Sequence, residues 1–160
     1  MILSFKTKIN GRPTYFIHKI WMSLRPFSPA EFLLKMDESL LPPMWKSQSF
    51  KPKIHTIRKD EKDRWKPGVM IDFFINARQK DMFRFAPKIP LKDKQRIYMT
   101  YIQGRFEVSV DDRYMYWKDI EQIAINEGFD SYEDFRDYFI SEMVDYYYGG
   151  YILHWRDFKY

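Results

Sequence analysis

Two different spacings of apolar residues occur along the chain, and each predicts a different kind of element. Short runs rich in aliphatic and aromatic residues, bounded by glycine, proline or charged clusters, predict strands. The strongest run follows a Pro-Gly turn and is largely apolar. The predicted strands cover residues 1–5, 51–58, 69–77, 97–103, 106–110 and 151–155.

Apolar residues three or four positions apart predict helices in the first third of the chain. One helix is expected from Pro13, placed in its first turn, to about Leu24. A second is expected to begin with Ser28 as N-cap and to continue, through Pro29 and Glu31, as far as Leu41-Pro42-Pro43.

Two further helices are predicted in the last third of the chain. Trp117 and Ile120 start an apolar face, and Gly128 is expected to end that helix. Ser131 opens a capping sequence for the other, whose apolar face continues to Met143.

Turn-forming residues separate these elements. They occur at Asn10-Gly11, Pro67-Gly68, Gly104-Arg105, Asp111-Asp112 and Gly149-Gly150, the last pair being expected to precede the final strand. Residues 44–50 are expected to be a linker whose Trp45 packs onto the domain, and residues 78–94 to be irregular.

Strands scattered among helices without regular βα alternation predict an α+β fold. Several short strands joined by glycine turns are typical of a small closed or half-closed barrel. The length of 160 residues predicts one domain, residues 1–160, with a sizeable core.

Composition narrows the function classes. Apolar residues make up 45% of the chain and aromatic residues 19%, which excludes a disordered protein. The net charge of +5 favours an anionic partner such as RNA or a nucleotide, although the charges are largely interspersed. The absence of cysteine excludes disulfides, cysteine nucleophiles and cysteine-ligated zinc.

No metal or cofactor is predicted. The histidines lie far apart, without the spacing of known metal motifs, and no phosphate-binding glycine motif occurs. We expect His18 to be a surface residue and His154 to pack within the fold. The first residues lack the long apolar region of a signal peptide, and no run of 18 apolar residues occurs. We therefore expect a cytoplasmic protein with no membrane contact.

The densest cluster of polar residues spans residues 53–58 (KIHTIR) and is followed by Arg64-Trp65-Lys66-Pro67-Gly68. Four cations, a hydroxyl and an imidazole in so short a stretch are costly to bury without partners. We therefore expect this segment to face a cleft or water.

Lys53, Thr56 and Arg58, followed by a charged loop and then by Trp65-Lys66 and Gly68, resemble the motif of the ASCH domain of the PUA-like superfamily. The resemblance covers roughly residues 51–160. It implies a small β-barrel with flanking helices, in which residues 6–50 are a helical insertion that minimal members lack. It also implies a protein of a bacterial cell or a phage-infected host.

Within this family, the chain is most similar to small amidohydrolases that deacetylate N(4)-acetylcytidine. The resemblance assigns their proposed catalytic set to Lys53, Thr56 and Glu127, the glutamate by its place in Ala124-x-x-Glu127. Lys53 would act as base towards Thr56, and Glu127 would carry a proton to the leaving amine. Because side chains alternate along a strand, this hypothesis requires a bend between Ile54 and His55.

Three functions are considered. The first is binding of RNA, a nucleoside or a nucleotide, with a base stacked on Trp65 or Phe74, although Trp65 also fits a core anchor. The second is amide hydrolysis of a modified nucleoside by the set above. The third is a protein-interaction module that uses the helix beginning at Ser28. The cations expected to contact phosphate in the first are Lys51, Lys53, Arg58, Arg64 and Lys66.

Overall fold

The computed structural model describes residues 1–24 and 41–160, except for the side chain of Trp45. Helices in these ranges are α1 (Phe16–Ser23), the single turn α2 (Met44–Ser47), α3 (Trp117–Glu127) and α4 (Tyr132–Ser141). The helix predicted to begin at Ser28 and the packing predicted for Trp45 lie outside the described residues. No helix in the described ranges is long and apolar enough to cross a membrane.

The larger of the sheets is antiparallel and has five strands. Its strands are β4 (His55–Arg58), β8 (Asp93–Ile102), β9 (Arg105–Val110), β10 (Arg113–Met115) and β11 (Tyr147–His154). Their order is β10-β9-β8-β11-β4, so the C-terminal strand β11 lies between β8 and the motif strand β4.

The remaining strands form two smaller groups. In the first, β1 (Ile2–Phe5) pairs in parallel with β5 (Met70–Ile75), which also pairs with the short strands β6 (Phe83–Arg84) and β7 (Ile89–Pro90). In the second, β2 (Lys8–Ile9) and β3 (Arg12–Pro13) form a hairpin. The protein is therefore α+β, and no sheet built from the described residues closes on itself.

Two hydrophobic clusters fill the interior. One lies around β1, β5 and α1 and includes Trp65 and Trp155, and the other lies between the five-stranded sheet and helices α3 and α4. Strand β11 contributes to both, with Leu153 in the first cluster and Ile152 in the second. Since β4 pairs with this strand, the motif segment lies where the two clusters meet.

Several predicted elements are confirmed with close boundaries. The strand at the N-terminus, helix α1, the β8–β9 hairpin and helices α3 and α4 all occur near the predicted positions. Gln103 and Gly104 both have positive φ, as do Asp111 and Asp112, which is the requirement of the tightest hairpin turns. Gly128 ends α3 with φ of 94°.

Other predictions were wrong at the level of local structure. Pro13 does not start a helix but lies in β3 on a small exposed hairpin, where a proline is tolerated. Gly149 and Gly150 lie inside β11 instead of preceding it. Residues 44–50 include the helical turn α2, and residues 78–94 include β6 and β7.

Candidate active site and binding cavity

The three residues of the predicted catalytic set converge in the structure. Lys53 lies in the segment before β4, Thr56 lies within β4, and Glu127 is the last residue of α3. Backbone hydrogen bonds hold the segment in place: Lys53 N donates to Lys19 O at 3.0 Å, and Ile54 N donates to Asn126 O at 3.0 Å. Because regular strand geometry begins only at His55, strand alternation does not separate Lys53 from Thr56.

Lys53 is a fully buried lysine, with 0% of its surface exposed. Its Nζ lies 3.1 Å from Glu127 Oε1 and also donates to the backbone carbonyl of Glu127, at the C-terminal end of α3. The negative end of the helix dipole and the carboxylate both stabilise this ammonium. Burial, opposed by the charge of Glu127, lowers the pKa of Lys53 to about 8.

The carboxylate of Glu127 accepts hydrogen bonds from four donors. Oε1 receives Lys53 Nζ and, at 3.0 Å, the hydroxyl of Thr56. Oε2 lies 3.1 Å from His55 Nδ1 and accepts from Ile57 N at 3.1 Å. Burial favours the neutral carboxyl, but the charge of Lys53 and these donors outweigh it and hold the pKa of Glu127 below its ordinary value.

A chain of hydrogen bonds continues from Glu127 to the last residue. His55 Nε2 lies 2.6 Å from the hydroxyl of Tyr160, which accepts from Asn126 Nδ2 at 2.7 Å. Asn126 in turn accepts from Gln122. Burial lowers the pKa of His55, so the ring is neutral. Since a carboxylate can only accept, Nδ1 donates to Glu127, and Nε2 accepts a hydrogen bond from the Tyr160 hydroxyl.

A second buried lysine supports the same helix end. Lys19 donates to Gly128 O at 2.7 Å and lies 2.6 Å from an oxygen of Asp130. A Cβ at Gly128 would lie 3.0 Å from Lys53 Cδ and 3.0 Å from a ring carbon of Phe16. Both lysines thus donate hydrogen bonds to carbonyl groups at the C-terminal end of the helix, which have no partner within it.

Beside this cluster lies a cavity of about 220 Å³, referred to below as the Thr56–Glu127 cavity. Thr56 and Glu127 contribute to its wall, together with the aliphatic Ile9 and Ile57. Aromatic side chains form much of the remainder. The charged side chains at the cavity, apart from Glu127, are exposed or half-buried, which marks its solvent-exposed end. The aromatic residues are Phe16, Phe129, Tyr138, Phe139 and Tyr148, and the charged residues are Lys6, Arg58, Lys59 and Glu142.

The cations predicted to contact phosphate are not gathered at this cavity. Of that set, only Arg58 is among the described residues that line it. Lys51 and Arg64 are exposed elsewhere, and Lys66 is exposed and pairs with Asp63 at 3.4 Å. Trp65 is 5% exposed within the first hydrophobic cluster, so it is a core anchor and is not available for stacking.

Several residues of the site were not predicted. No local sequence pattern distinguishes four of them from ordinary surface or core residues: Lys6, Lys59, Tyr148 and Tyr160. His55 lies within the motif, and its position between Lys53 and Thr56 was the only indication of a role. These residues reach the site only through the pairing of β4 with β11 and the path of the chain after β11.

The contacts also bear on the predicted roles within the set. Burial lowers the pKa of Lys53 to about 8, and its described polar side-chain contacts are both with Glu127. The hydroxyl of Thr56 donates its hydrogen bond to the carboxylate of Glu127 and not to Lys53. Lys53 itself is fully buried and is not among the described residues that line the cavity.

Comparisons with protein-family models, with curated proteins and with solved structures found no match to this chain. The site must therefore be interpreted from its own geometry. No group of three or more histidine, cysteine or acidic side chains suited to a metal ion occurs among the residues that the structure describes.

Proposed function

We propose that the protein binds one nucleobase, as part of a nucleoside or a nucleotide, in the Thr56–Glu127 cavity. The observation that carries this proposal is the combination of aromatic walls with a buried hydroxyl and carboxylate in a space of about 220 Å³. Aromatic rings stack on planar bases, and polar side chains recognise their edges. The volume is below that of pockets for drug-sized ligands, which favours a single base.

The burial of the Lys53–Glu127 ion pair supports a functional role for the site. Lys53 is 0% exposed and Glu127 is 5% exposed, so both charges have lost most of their hydration. A buried ion pair of this kind is often no more stabilising than apolar residues of similar size. Ionisable groups with shifted pKa values beside a cavity are a common feature of binding and catalytic sites.

The arrangement favours a small ligand over an RNA chain. Binding along an RNA backbone needs a continuous basic track. Lys51, Arg64 and Lys66 do not extend the cavity into such a track, because they are exposed elsewhere. The alternative of a protein-interaction module depends on the segment that begins at Ser28, which lies outside the described residues.

The convergence of Lys53, Thr56 and Glu127 also supports the resemblance to ASCH domains. We propose on this basis that the two larger sheets correspond to parts of the small PUA-like barrel. Thr56 and Glu127 were assigned to one set from sequence order alone. Since they are 71 residues apart, their contact is not expected by chance and supports that assignment.

Amide hydrolysis of an N(4)-acylated cytosine base is the second candidate, and the hydrogen bond from Thr56 to Glu127 favours it. In this reaction Thr56 Oγ attacks the acyl carbon while its proton passes to Glu127. The carbon–nitrogen bond then breaks, and the amine leaves with that proton. Water then hydrolyses the acyl-threonine: its hydroxyl goes to the acyl carbon, which releases the acid, and its proton returns to Thr56 Oγ. Lys53 holds the carboxylate of Glu127 in place from behind, at 3.1 Å.

Calorimetric titration with cytidine, N(4)-acetylcytidine, uridine, adenosine and guanosine tests binding. We expect at least one nucleoside to bind, and Thr56→Val to weaken that binding about tenfold by removing one hydrogen-bonding group. Thr100→Val, in β8 of the same sheet and outside the cavity, is the matched control and should leave the affinity unchanged. Absence of binding by all five nucleosides and by their monophosphates, or equal effects of both variants, would overturn the proposal.

Hydrolysis is tested separately, by following release of cytidine from N(4)-acetylcytidine. Turnover by the wild type that falls at least about 100-fold in Thr56→Val, with no loss in Thr100→Val, would support the second candidate. A wild-type protein that binds the compound without turnover would exclude hydrolysis and leave the binding function intact.

A further inference from the structure

The exposed and half-buried charged side chains that line the Thr56–Glu127 cavity are mostly cations, and they mark its solvent-exposed end. Three cations, Lys6, Arg58 and Lys59, line the cavity there, and the only carboxylate accompanying them among the described lining residues, apart from Glu127, is Glu142. We call Lys6, Arg58 and Lys59 the mouth cations. Inside, the charge of Glu127 is already balanced by Lys53 at 3.1 Å.

The mouth cations are only partly neutralised by the protein. Lys6 Nζ lies 3.4 Å from a carboxylate oxygen of Glu142 and 3.2 Å from the hydroxyl of Tyr138. Within the described part of the chain, neither Arg58 nor Lys59 forms an ion pair. Three cations and one carboxylate leave a charge of about +2 at the mouth.

The two cations without ion pairs are held by other contacts. Arg58 donates to the carbonyl of Ser4 at 2.7 Å, and its guanidinium lies 5.5 Å from the ring centre of Phe5. Lys59 Nζ lies 5.5 Å from the ring centre of Tyr148, which itself lines the cavity. These contacts keep both charges close to the mouth without satisfying all of their donors.

From this charge distribution we infer that the natural ligand is a nucleoside phosphate, with its base in the cavity and its phosphate on the mouth cations. The inference rests on the proposed function and specifies its substrate class. A cavity of about 220 Å³ has room for the base but leaves the phosphate towards solvent, where the cations are. Arginine and lysine form strong, charge-assisted hydrogen bonds with phosphate oxygens.

The test compares cytidine, uridine, adenosine and guanosine with their 5′-monophosphates and 3′-monophosphates by calorimetric titration. For each nucleoside that binds, we expect one of its monophosphates to bind about 10- to 100-fold more tightly, because two or three charged contacts are added. This advantage should decrease as sodium chloride is raised from 50 to 500 mM, since the mouth is exposed to solvent.

A second test uses variants that remove a positive or a negative charge from the mouth. Lys59→Gln should reduce several-fold the ratio of monophosphate affinity to nucleoside affinity. Glu142→Gln should increase this ratio, because it removes the one acidic group that the described residues place at the mouth and frees Lys6 from its ion pair. Lys62→Gln, an exposed lysine in the same loop as Lys59 but outside the cavity, is the matched control and should have no effect.

The outcomes separate the two proposals. Nucleosides that bind as well as their monophosphates would overturn this inference and leave the proposed function standing. Failure of nucleosides and monophosphates alike would overturn both. A dinucleotide with an internal phosphate that binds more tightly than every monophosphate would also overturn it, because the ligand would then be a nucleic acid chain.

Discussion

Thr56 and Glu127 are 71 residues apart in the sequence, yet the Thr56 hydroxyl donates to Glu127 Oε1 at 3.0 Å. The same carboxylate accepts from the backbone of Ile57, so it binds both a side chain and the main chain of β4. One side chain at the end of α3 therefore fixes the helix to the motif strand. It follows that Glu127 contributes to the fold as well as to the chemistry of the site.

Glu127→Gln is expected to destabilise the protein strongly. The substitution leaves the buried ammonium of Lys53 without its counter-charge, and removing one partner of a buried ion pair lowers the free energy of unfolding by about 3–5 kcal/mol. Urea denaturation followed by circular dichroism measures this change. Glu121→Gln, exposed on the same helix, is the control and should change the free energy by less than about 0.5 kcal/mol.

The double variant Lys53→Met with Glu127→Gln gives a further check on this pair. Because it removes both charges, it should be more stable than Glu127→Gln alone. A double variant that is no more stable than the single one would show that the hydrogen bonds of Glu127 to β4, and not its charge, account for the loss.

Stability should also depend on alkaline pH through Lys53. Its pKa is lowered to about 8 in the folded protein from an ordinary value of 10.5. Between these values the unfolded chain binds more protons, so the free energy of unfolding contributed by Lys53 rises with pH from about 8 to about 10.5. Below pH 8 both states are protonated, and the contribution is constant.

Lys53→Met isolates this contribution from those of other groups. The free energy of unfolding, measured by urea denaturation at half-unit steps from pH 7 to 10.5, should rise less with pH in the variant than in the wild type. Parallel curves for the two proteins would contradict the assignment of this pH dependence to Lys53.

Gly128→Ala should lower the free energy of unfolding more than Gly104→Ala does, although both glycines have positive φ. At Gly104, with φ of 78°, a Cβ meets nothing within 4 Å, so we expect only the strain of the left-handed backbone, about 1 kcal/mol. At Gly128, with φ of 94°, a Cβ would press on Lys53 and Phe16 at 3.0 Å. We expect this overpacking to add about 1–3 kcal/mol. Thermal and urea unfolding of both variants measure the difference, and equal losses would contradict the close packing at Gly128.

His154 should make the protein sensitive to acid. It is fully buried, and neither ring nitrogen has a hydrogen-bond partner in the described part of the chain. Burial lowers its pKa from 6.5 to about 3, so the unfolded chain binds more protons between these values. The stability contributed by the neutral ring is therefore complete above about pH 6.5 and decreases as the pH falls towards 3.

His154→Phe should consequently lose less stability between pH 7 and pH 4.5 than the wild type. At pH 7 its free energy of unfolding should be similar or higher, because no described hydrogen bond of the ring is removed. Urea unfolding at the two pH values measures both effects. His18→Phe, on the partly exposed face of α1, should retain most of the acid sensitivity, and equal responses of the two variants would contradict the role of His154.

Local structure was largely predictable where neighbouring residues decide it. Ser131 accepts from Asp134 N at 3.1 Å at the start of α4, as the capping sequence predicted. Gly128 ends α3 because a left-handed backbone is most easily adopted by glycine. The wrong predictions arose where tertiary contacts override local preference: a Cβ at Gly150 would lie 3.0 Å from the carbonyl of Arg58, so glycine is needed inside β11.

The site was predictable only in part. The resemblance to ASCH domains brought Lys53, Thr56 and Glu127 together as a set, and the structure places all three in contact with one another through the carboxylate. The predicted basic surface was not gathered around them, because sequence proximity to a motif does not determine the direction of a side chain in a loop. Nothing in the local sequence indicated that Tyr160 would contact His55.

By itself, the sequence determined helices α1, α3 and α4, the hairpin turns after β8 and β9, the α+β class and the residue types available for chemistry. These depend on spacings and backbone preferences that act within a few residues. Only the tertiary structure decided that β11 lies between β8 and β4 and that α3 ends against Lys53. It also decided that Lys6 and Lys59 meet at one cavity. Such contacts join residues that are distant in the chain, and burial of the two hydrophobic clusters selects them only when the whole fold is assembled.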